Sequence, residues 1–177
     1  MYKDKSSIFS KFLIDLSNYE VIKKINSGGF GDVYTIQNKN TEQKYAAKIL
    51  SSGEESEQDK KLINREIGIM IRIQHPTIIH FHGFSLHDFN GEDNVTIIMD
   101  LAQNGSLYTL LQNVRKGLAN KDYDNTARQK ILVGVAYGMM HLHKNHIIHR
   151  DLKPGNILLD EYLNPHITDF GLSKIII

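Results

Sequence analysis

Three stretches of this sequence concentrate residues that could do chemistry. The first, Asn26-Ser27-Gly28-Gly29-Phe30-Gly31-Asp32-Val33, puts glycines at a tip between two strand-like runs. Backbone without a Cβ can approach a phosphate closely there and offer N–H groups to it. A glycine-rich turn with no ligand fits the same residues, whereas a dinucleotide-binding fold does not, because a strand rather than a helix follows the glycines. The second is Lys48, the only charge in Tyr45-Ala46-Ala47-Lys48-Ile49-Leu50. An ammonium on a half-buried strand needs a fixed anion beside it, and Glu66 is the candidate; the alternative leaves Lys48 pointing into solvent from an edge strand. The third gathers Asp151, Lys153, Asn156 and Asp169 within Ile148-His149-Arg150-Asp151-Leu152-Lys153-Pro154-Gly155-Asn156-Ile157-Leu158-Leu159 and the following Thr168-Asp169-Phe170-Gly171. The imidazoles of His80-Phe81-His82 and His141-Leu142-His143 also lie close in sequence, but no third or fourth ligand stands at coordinating spacing, so no zinc site is expected.

The elements that must hold these residues follow from periodicity. Tyr19 to Ile25, Asp32 to Ile36 and Lys44 to Ile49 read as strands separated by Gly-rich and Asn/Lys-rich turns, an antiparallel meander. Ile63, Ile67, Met70 and Ile71 form the stripe of an amphipathic helix. Ile78 to Phe84 and Val95 to Met99 are two further strand candidates around a turn-rich loop. After the polar stretch from Gln112 to Asn125, Ile131, Val135, Met139 and Leu142 mark a second helix, with Asp124 or Asn125 as its cap. Composition thus shifts from mostly β to mostly α near Leu101, where a lobe boundary is expected.

The bulk properties narrow the function classes. The 177 residues, 41% hydrophobic and 23% charged, suffice for a real core. A formal net charge of +1 gives no reason to expect nucleic acid or an anionic membrane surface as partner. The charged start and the apolar patch from Ile8 to Ile14, broken by Ser10 and Lys11, make no signal peptide, and no apolar run reaches membrane-spanning length. With no cysteine, disulfides and thiolate chemistry are excluded, and a cytoplasmic or nuclear setting is the expectation.

His149-Arg150-Asp151-Leu152-Lys153-Pro154-Gly155-Asn156 followed by Asp169-Phe170-Gly171 resembles the catalytic loop and metal motif of eukaryotic-type protein kinases. The resemblance runs from about Tyr19 to Lys174. It implies an α+β, two-lobed fold: an N-lobe over about 19–100 with a five-stranded antiparallel sheet and one helix, and an incomplete, mainly helical C-lobe over about 101–177, preceded by an extension at 1–18. It implies ATP and Mg2+ as cofactors and a protein hydroxyl as phosphate acceptor. By the same resemblance Asp151 is the catalytic base, Lys153 steadies the transferring phosphoryl group, and Asn156 and Asp169 hold magnesium. Asn26, Ser27, Gly28, Gly29, Phe30 and Gly31 would cover the phosphates, and Lys48, held by Glu66, would grip the inner ones. Val33, Ala46 and Leu158 would enclose the adenine, with Met99 guarding the back pocket and Asp100-Leu101-Ala102 as the hinge. Gly105-Ser106-Leu107 would open the first C-lobe helix, and Met70, Phe81, His149 and Phe170 would stack as a column. Leu152-Lys153-Pro154 resembles the serine/threonine-specific loop, and the wording of the glycine loop and of Asn104-Gly105-Ser106-Leu107 resembles the tyrosine-kinase-like group.

Two departures from the pattern matter. Asn26 stands where the family's glycine loop usually begins with glycine, and a left-handed backbone there would cost about 1–2 kcal/mol, weakening ATP binding slightly. The family would also continue past Lys174 through an activation segment, an Ala-Pro-Glu motif and further helices. The expectation is therefore a kinase domain truncated after Asp-Phe-Gly, with Arg150 lacking its usual phosphate partner. The alternative is a kinase-like module that binds nucleotide or a partner without transferring phosphate.

Overall fold

Runs of β-branched and aromatic residues, broken by polar turns, pair with their neighbours along the chain. In the computed structural model, which describes residues 8–28, 31–50, 57–118 and 122–176, they become β1 (Tyr19–Gly28), β2 (Gly31–Asn38) and β3 (Lys44–Ile49). Helix α1 (Glu57–Arg72) follows, then β4 (Phe81–Ser85) and β5 (Thr96–Asp100). The five strands form one antiparallel sheet in the order β1-β2-β3-β5-β4.

Side chains alternate between the faces of a strand, so the register decides what the sheet buries. Tyr34 lies opposite Ala47, Ile36 opposite Tyr45, and Ala47 opposite Ile98. Ile36, Ala47 and Ile98 are fully buried there, with Ile14, Leu16, Tyr19 and Phe89 packed against them. Strand β4 is an edge, and unpaired edges invite unwanted pairing. Its outer side is covered by the chain's own N-terminal segment: after a 3-10 turn at Ile8–Phe12, Leu13 bridges Phe84 and the Ile14 N–H donates to the Phe84 carbonyl at 2.9 Å.

The chain divides into two compact units. One comprises the chain up to Arg72 together with Phe81–Leu101; the other comprises Ile73–His80 together with the chain from Ala102 onward. The strand expected over Ile78 to Phe84 is therefore split. It begins only at Phe81, and Ile78 bridges Ile167 instead, with the Ile79 N–H donating to the Ile167 carbonyl and the Ile167 N–H to the Thr77 carbonyl, both at 2.9 Å. An apolar run takes whatever backbone partners bury it; Ile78 and Ile79 are buried and belong to the second unit.

That unit holds α2 (Leu107–Arg115), α3 (Asn125–Lys144), β6 (Ile147–Ile148), β7 (Ile157–Leu159), β8 (Pro165–Ile167) and β9 (Lys174–Ile175), with β6 paired to β9 and β7 to β8. Ser106 caps α2 by accepting the Thr109 N–H, and Asp124 caps α3 by accepting the Ala127 N–H. Leu110, Ala127, Ile131, Leu159 and Leu163 form the core, with Val135 against it. Helix α3 approaches its neighbours through glycines. A Cβ at Gly134 would lie 2.5 Å from Pro165 Cγ, and one at Gly138 would lie 2.6 Å from Thr77 Oγ1 and 2.8 Å from Ile167 Cδ1.

Gly138→Leu improves helix propensity but overfills this contact. It is expected to lower the free energy of unfolding by about 1–3 kcal/mol, read from urea denaturation; an unchanged midpoint would contradict the close approach.

Candidate active site

The candidate residues fall into two groups, one in each unit. In the first unit, Val33 lies opposite Lys48 and Ala46 opposite Met99. Cross-strand partners share a face, so Val33, Ala46, Lys48 and Met99 share one side of the sheet. Lys48 is buried in this apolar setting, and its Nζ lies 2.8 Å from Glu66 Oε1 of α1, itself buried. The solvent-facing alternative for Lys48 is thereby excluded, as β3 is an inner strand between β2 and β5. Asp100, at the end of β5, turns its side chain to the other side: it pairs with Tyr45 in register, and its Oδ1 lies 2.6 Å from His82 Nε2. Only its backbone is left for the hinge position expected of it.

The glycine hairpin is closed by Gly28 opposite Gly31. Gly31 has φ +115° and a Cβ there would lie 2.0 Å from the Ile49 carbonyl oxygen, so no other residue fits. Gly29 and Phe30 lie outside the described residues. The left-handed backbone expected at Asn26 is not found: Asn26 is not among the positive-φ residues. It sits in β1 beside a register irregularity, and its Oδ1 accepts the Ser27 N–H at 2.9 Å. A bulge in the strand accommodates the position without strain. Sequence reasoning missed the clamp next to it. Asp32 receives Lys24 Nζ at 2.7 Å, Ser27 Oγ at 2.7 Å and Tyr34 Oη at 3.4 Å, tying both strands of the hairpin to one carboxylate. Its signal is the register, which sets Asp32 directly opposite Ser27.

In the second unit, β6 leads into the loop that carries Asp151. His149, fully buried, accepts the Asp151 N–H on Nδ1 at 3.3 Å, so its hydrogen sits on Nε2, which donates to the Thr168 carbonyl at 2.9 Å. Its ring also meets Phe170 edge-on at 5.3 Å. One imidazole thus ties the loop of Asp151 to the segment of Asp169. Asp151 Oδ2 accepts from Lys153 Nζ at 2.7 Å and from Asn156 Nδ2 at 2.9 Å, and Asn156 Nδ2 also donates to the Asp151 carbonyl at 2.8 Å. The buried amide nitrogen of Asn156 is committed to Asp151, leaving Oδ1 as its acceptor. The Lys153 ammonium, with help from the Asn156 amide, holds the Asp151 carboxyl below its ordinary value of 3.8, against a desolvation that outweighs the Asn156 contribution.

Arg150 and Asp169 both have positive φ, +64° and +67°. Such backbone is sparsely populated for residues with a Cβ, costs about 1–3 kcal/mol, and gathers at functional sites. Arg150 Nε donates to the Leu172 carbonyl at 2.6 Å, and Ser173 Oγ donates to the His149 carbonyl at 3.1 Å. Leu158, half-buried in β7, lies opposite His166 and bridges Ser106. Ala102 begins the stretch that runs alongside, where the Asn104 N–H donates to the Leu159 carbonyl and the Leu159 N–H to the Gly105 carbonyl.

The donors Asn156 Oδ1 and the Asp169 carboxylate are hard oxygens, which suit Mg2+ rather than a softer metal. Among the described residues no group of three or more His, Cys, Asp or Glu is placed to hold a metal. Mg2+ readily keeps waters or phosphate oxygens among its ligands, so it needs only one or two protein donors. Among the same residues, no helix is long and apolar enough to cross a membrane.

Comparison with known proteins bears on the family of the chain. The family model of the protein kinase domain matches residues 19–177. The chain is 30% identical over 165 residues to human serine/threonine-protein kinase 32B, covering 92% of this chain and 37% of that protein. It is 38% identical over 164 residues to cold-responsive protein kinase 1 of Arabidopsis thaliana, covering 89% and 40%. It is 34% identical over 184 residues to human calcium/calmodulin-dependent protein kinase type IV, covering 97% and 35%. The chain thus spans well under half the length of these relatives.

Two outcomes follow from the ion pairs. Glu66→Ala, which strands a buried ammonium, is expected to cost about 3 kcal/mol of stability, and the double variant Lys48→Met/Glu66→Leu clearly less; equal losses in urea denaturation would mean that the pair is not desolvated. Lys153→Met is expected to raise the Asp151 pKa toward 3.8, observed by carboxyl-carbon NMR titration. Because the folded-state value lies below the unfolded one, this contact stabilises the fold above the unfolded value and is lost as pH falls through the folded one. An unmoved titration would remove Lys153 as the main cause.

Proposed function

The chain belongs to the protein kinase domain family, and from that membership we propose that it transfers the γ-phosphoryl group of Mg-ATP to a serine or threonine hydroxyl of a protein. The observation that carries the reading is the Asp151–Lys153–Asn156 constellation, tied through His149 to the segment of Asp169. The serine/threonine assignment is supported by Leu152-Lys153-Pro154 and by relatives that are themselves named serine/threonine-protein kinases.

In the proposed reaction the acceptor hydroxyl oxygen forms a bond to the γ-phosphorus, and the bond from that phosphorus to the β–γ bridging oxygen breaks. The bridging oxygen leaves with its electron pair on ADP, and the hydroxyl proton passes to the Asp151 carboxylate. A carboxyl held below its ordinary range is ionised at neutral pH and accepts the proton late, which suits a loose transition state that needs little covalent help. Lys153, hydrogen-bonded to the same carboxylate, supplies positive charge where the phosphoryl group passes. Asn156 and Asp169 would hold Mg2+, which neutralises charge on the phosphates when bound. Lys48, fixed by Glu66, would hold the inner phosphates, while Val33, Ala46, Met99 and Leu158 would enclose the adenine around the backbone of Asp100 and Ala102. The hairpin from Asn26 and Ser27 through Gly28, Gly29, Phe30 and Gly31 would cover the phosphates.

The test is Mg-ATP binding by calorimetry together with γ-phosphate transfer to serine or threonine in a mixed-protein acceptor. Asp151→Asn is expected to reduce transfer by at least about a hundredfold with the affinity for Mg-ATP nearly unchanged. Undiminished transfer in that variant would remove Asp151 from its role. Binding without any transfer by the parent chain would favour a nucleotide-binding module instead.

A further inference from the structure

The N-terminal segment lies outside the residues matched by the kinase family model, which begin at 19, yet it is built into the first unit at three points. Phe9 rests on α1 where the helix has no side chain: a Cβ at Gly68 would lie 3.8 Å from Phe9 Cζ. Phe12 packs against Phe81 of β4 with ring centroids 5.7 Å apart. Leu13 and Ile14 then join the edge of β4 at Phe84. Strand β4 is shaped for this crossing, because a Cβ at Gly83 would lie 2.4 Å from the Phe12 carbonyl oxygen and 2.6 Å from Ile14 Cδ1.

The direction of the first contact matters most. At about 100° per residue, Gly68 points about 200° away from Glu66 around the helix. The helix is therefore held from both sides: Glu66 reaches Lys48 at 2.8 Å, and Phe9 presses on the opposite flank. A glycine in a helix interior weakens the helix, which makes α1 more dependent on what packs against it.

We infer that residues Ile8–Ile14 are a strap that positions α1, and that Phe9 is a positioning residue acting on the nucleotide through the Lys48–Glu66 pair. The second part rests on the reading of that pair as the grip on the inner phosphates. Loss of the Phe9 contact lets α1 move outward, and Lys48 then loses its fixed partner.

The test compares Phe9→Ala and Gly68→Gln, each in the parent chain and in a Glu66→Gln background. Phe9 is only half-buried, so its removal leaves the core in place; Gly68→Gln strengthens the helix itself while occupying the seat of the ring. Amide hydrogen exchange of α1 without nucleotide is expected to quicken about tenfold in Phe9→Ala. Mg-ATP affinity is expected to fall about fivefold in either variant, and not to fall further when Glu66→Gln is already present. Equal weakening in both backgrounds would show that the strap does not act through the pair. Unchanged exchange in Phe9→Ala would overturn the strap altogether. If the parent chain does not bind Mg-ATP, the nucleotide reading fails by itself, and the exchange of α1 still decides whether the strap exists.

Discussion

A lysine ammonium in the middle of an apolar sheet has to be met by an anion brought from another element, and that requirement organises the first unit. Lys48 lies on an inner strand with no route to solvent along the sheet edge, so the carboxylate must come from above the sheet. Helix α1 delivers it from Glu66. Such a pair adds little net stability, since desolvation offsets most of the attraction. What it contributes is position: the helix has one rotation and one height at which the charge is satisfied. The glycines at 68 and 83, the edge of β4 and the N-terminal segment all accommodate that placement.

The second unit solves a parallel problem with an imidazole. His149 has no solvent exposure and uses both ring nitrogens on backbone, one toward Asp151 and one toward Thr168. The strained backbone at Arg150 and Asp169 follows from the same tie, because two loops drawn to one imidazole must turn sharply beside it. The carboxylates on those loops are then aimed by backbone, leaving their side chains to respond to charge. Asp151 does so through Lys153 and Asn156.

Much of this was legible in the sequence, for identifiable reasons. The strands carried their alternation and turn residues locally, and Glu66 was foreseeable because a lone lysine in an apolar strand calls for an acid on the next element. The split of Ile78 to Phe84 was not, since an apolar run looks the same whichever unit supplies its backbone partners. Asn26 misled because a glycine pattern suggests left-handed backbone, whereas a strand irregularity does the same task in extended conformation. The Asp32 clamp and the contact of Asp100 with His82 depend on register and on a neighbouring strand, neither of which is a local property. Ile8 to Phe12 showed only an interrupted apolar patch, because a 3-10 turn has no long period to read.

The membership of Ile73–His80 in the second unit bears on how the protein is made. Chains emerge from the ribosome in order, and domains close as soon as their parts are available. The first unit is complete in sequence once Leu101 has appeared, but the eight residues Ile73–His80 take their partners from Gly134, Gly138 and Ile167. During the synthesis of that later stretch, Ile78 and Ile79 are apolar residues whose backbone partner, Ile167, does not yet exist. The nascent chain therefore carries these two residues without their folded-state backbone partner until Ile167 has been made, for a time set by translation speed.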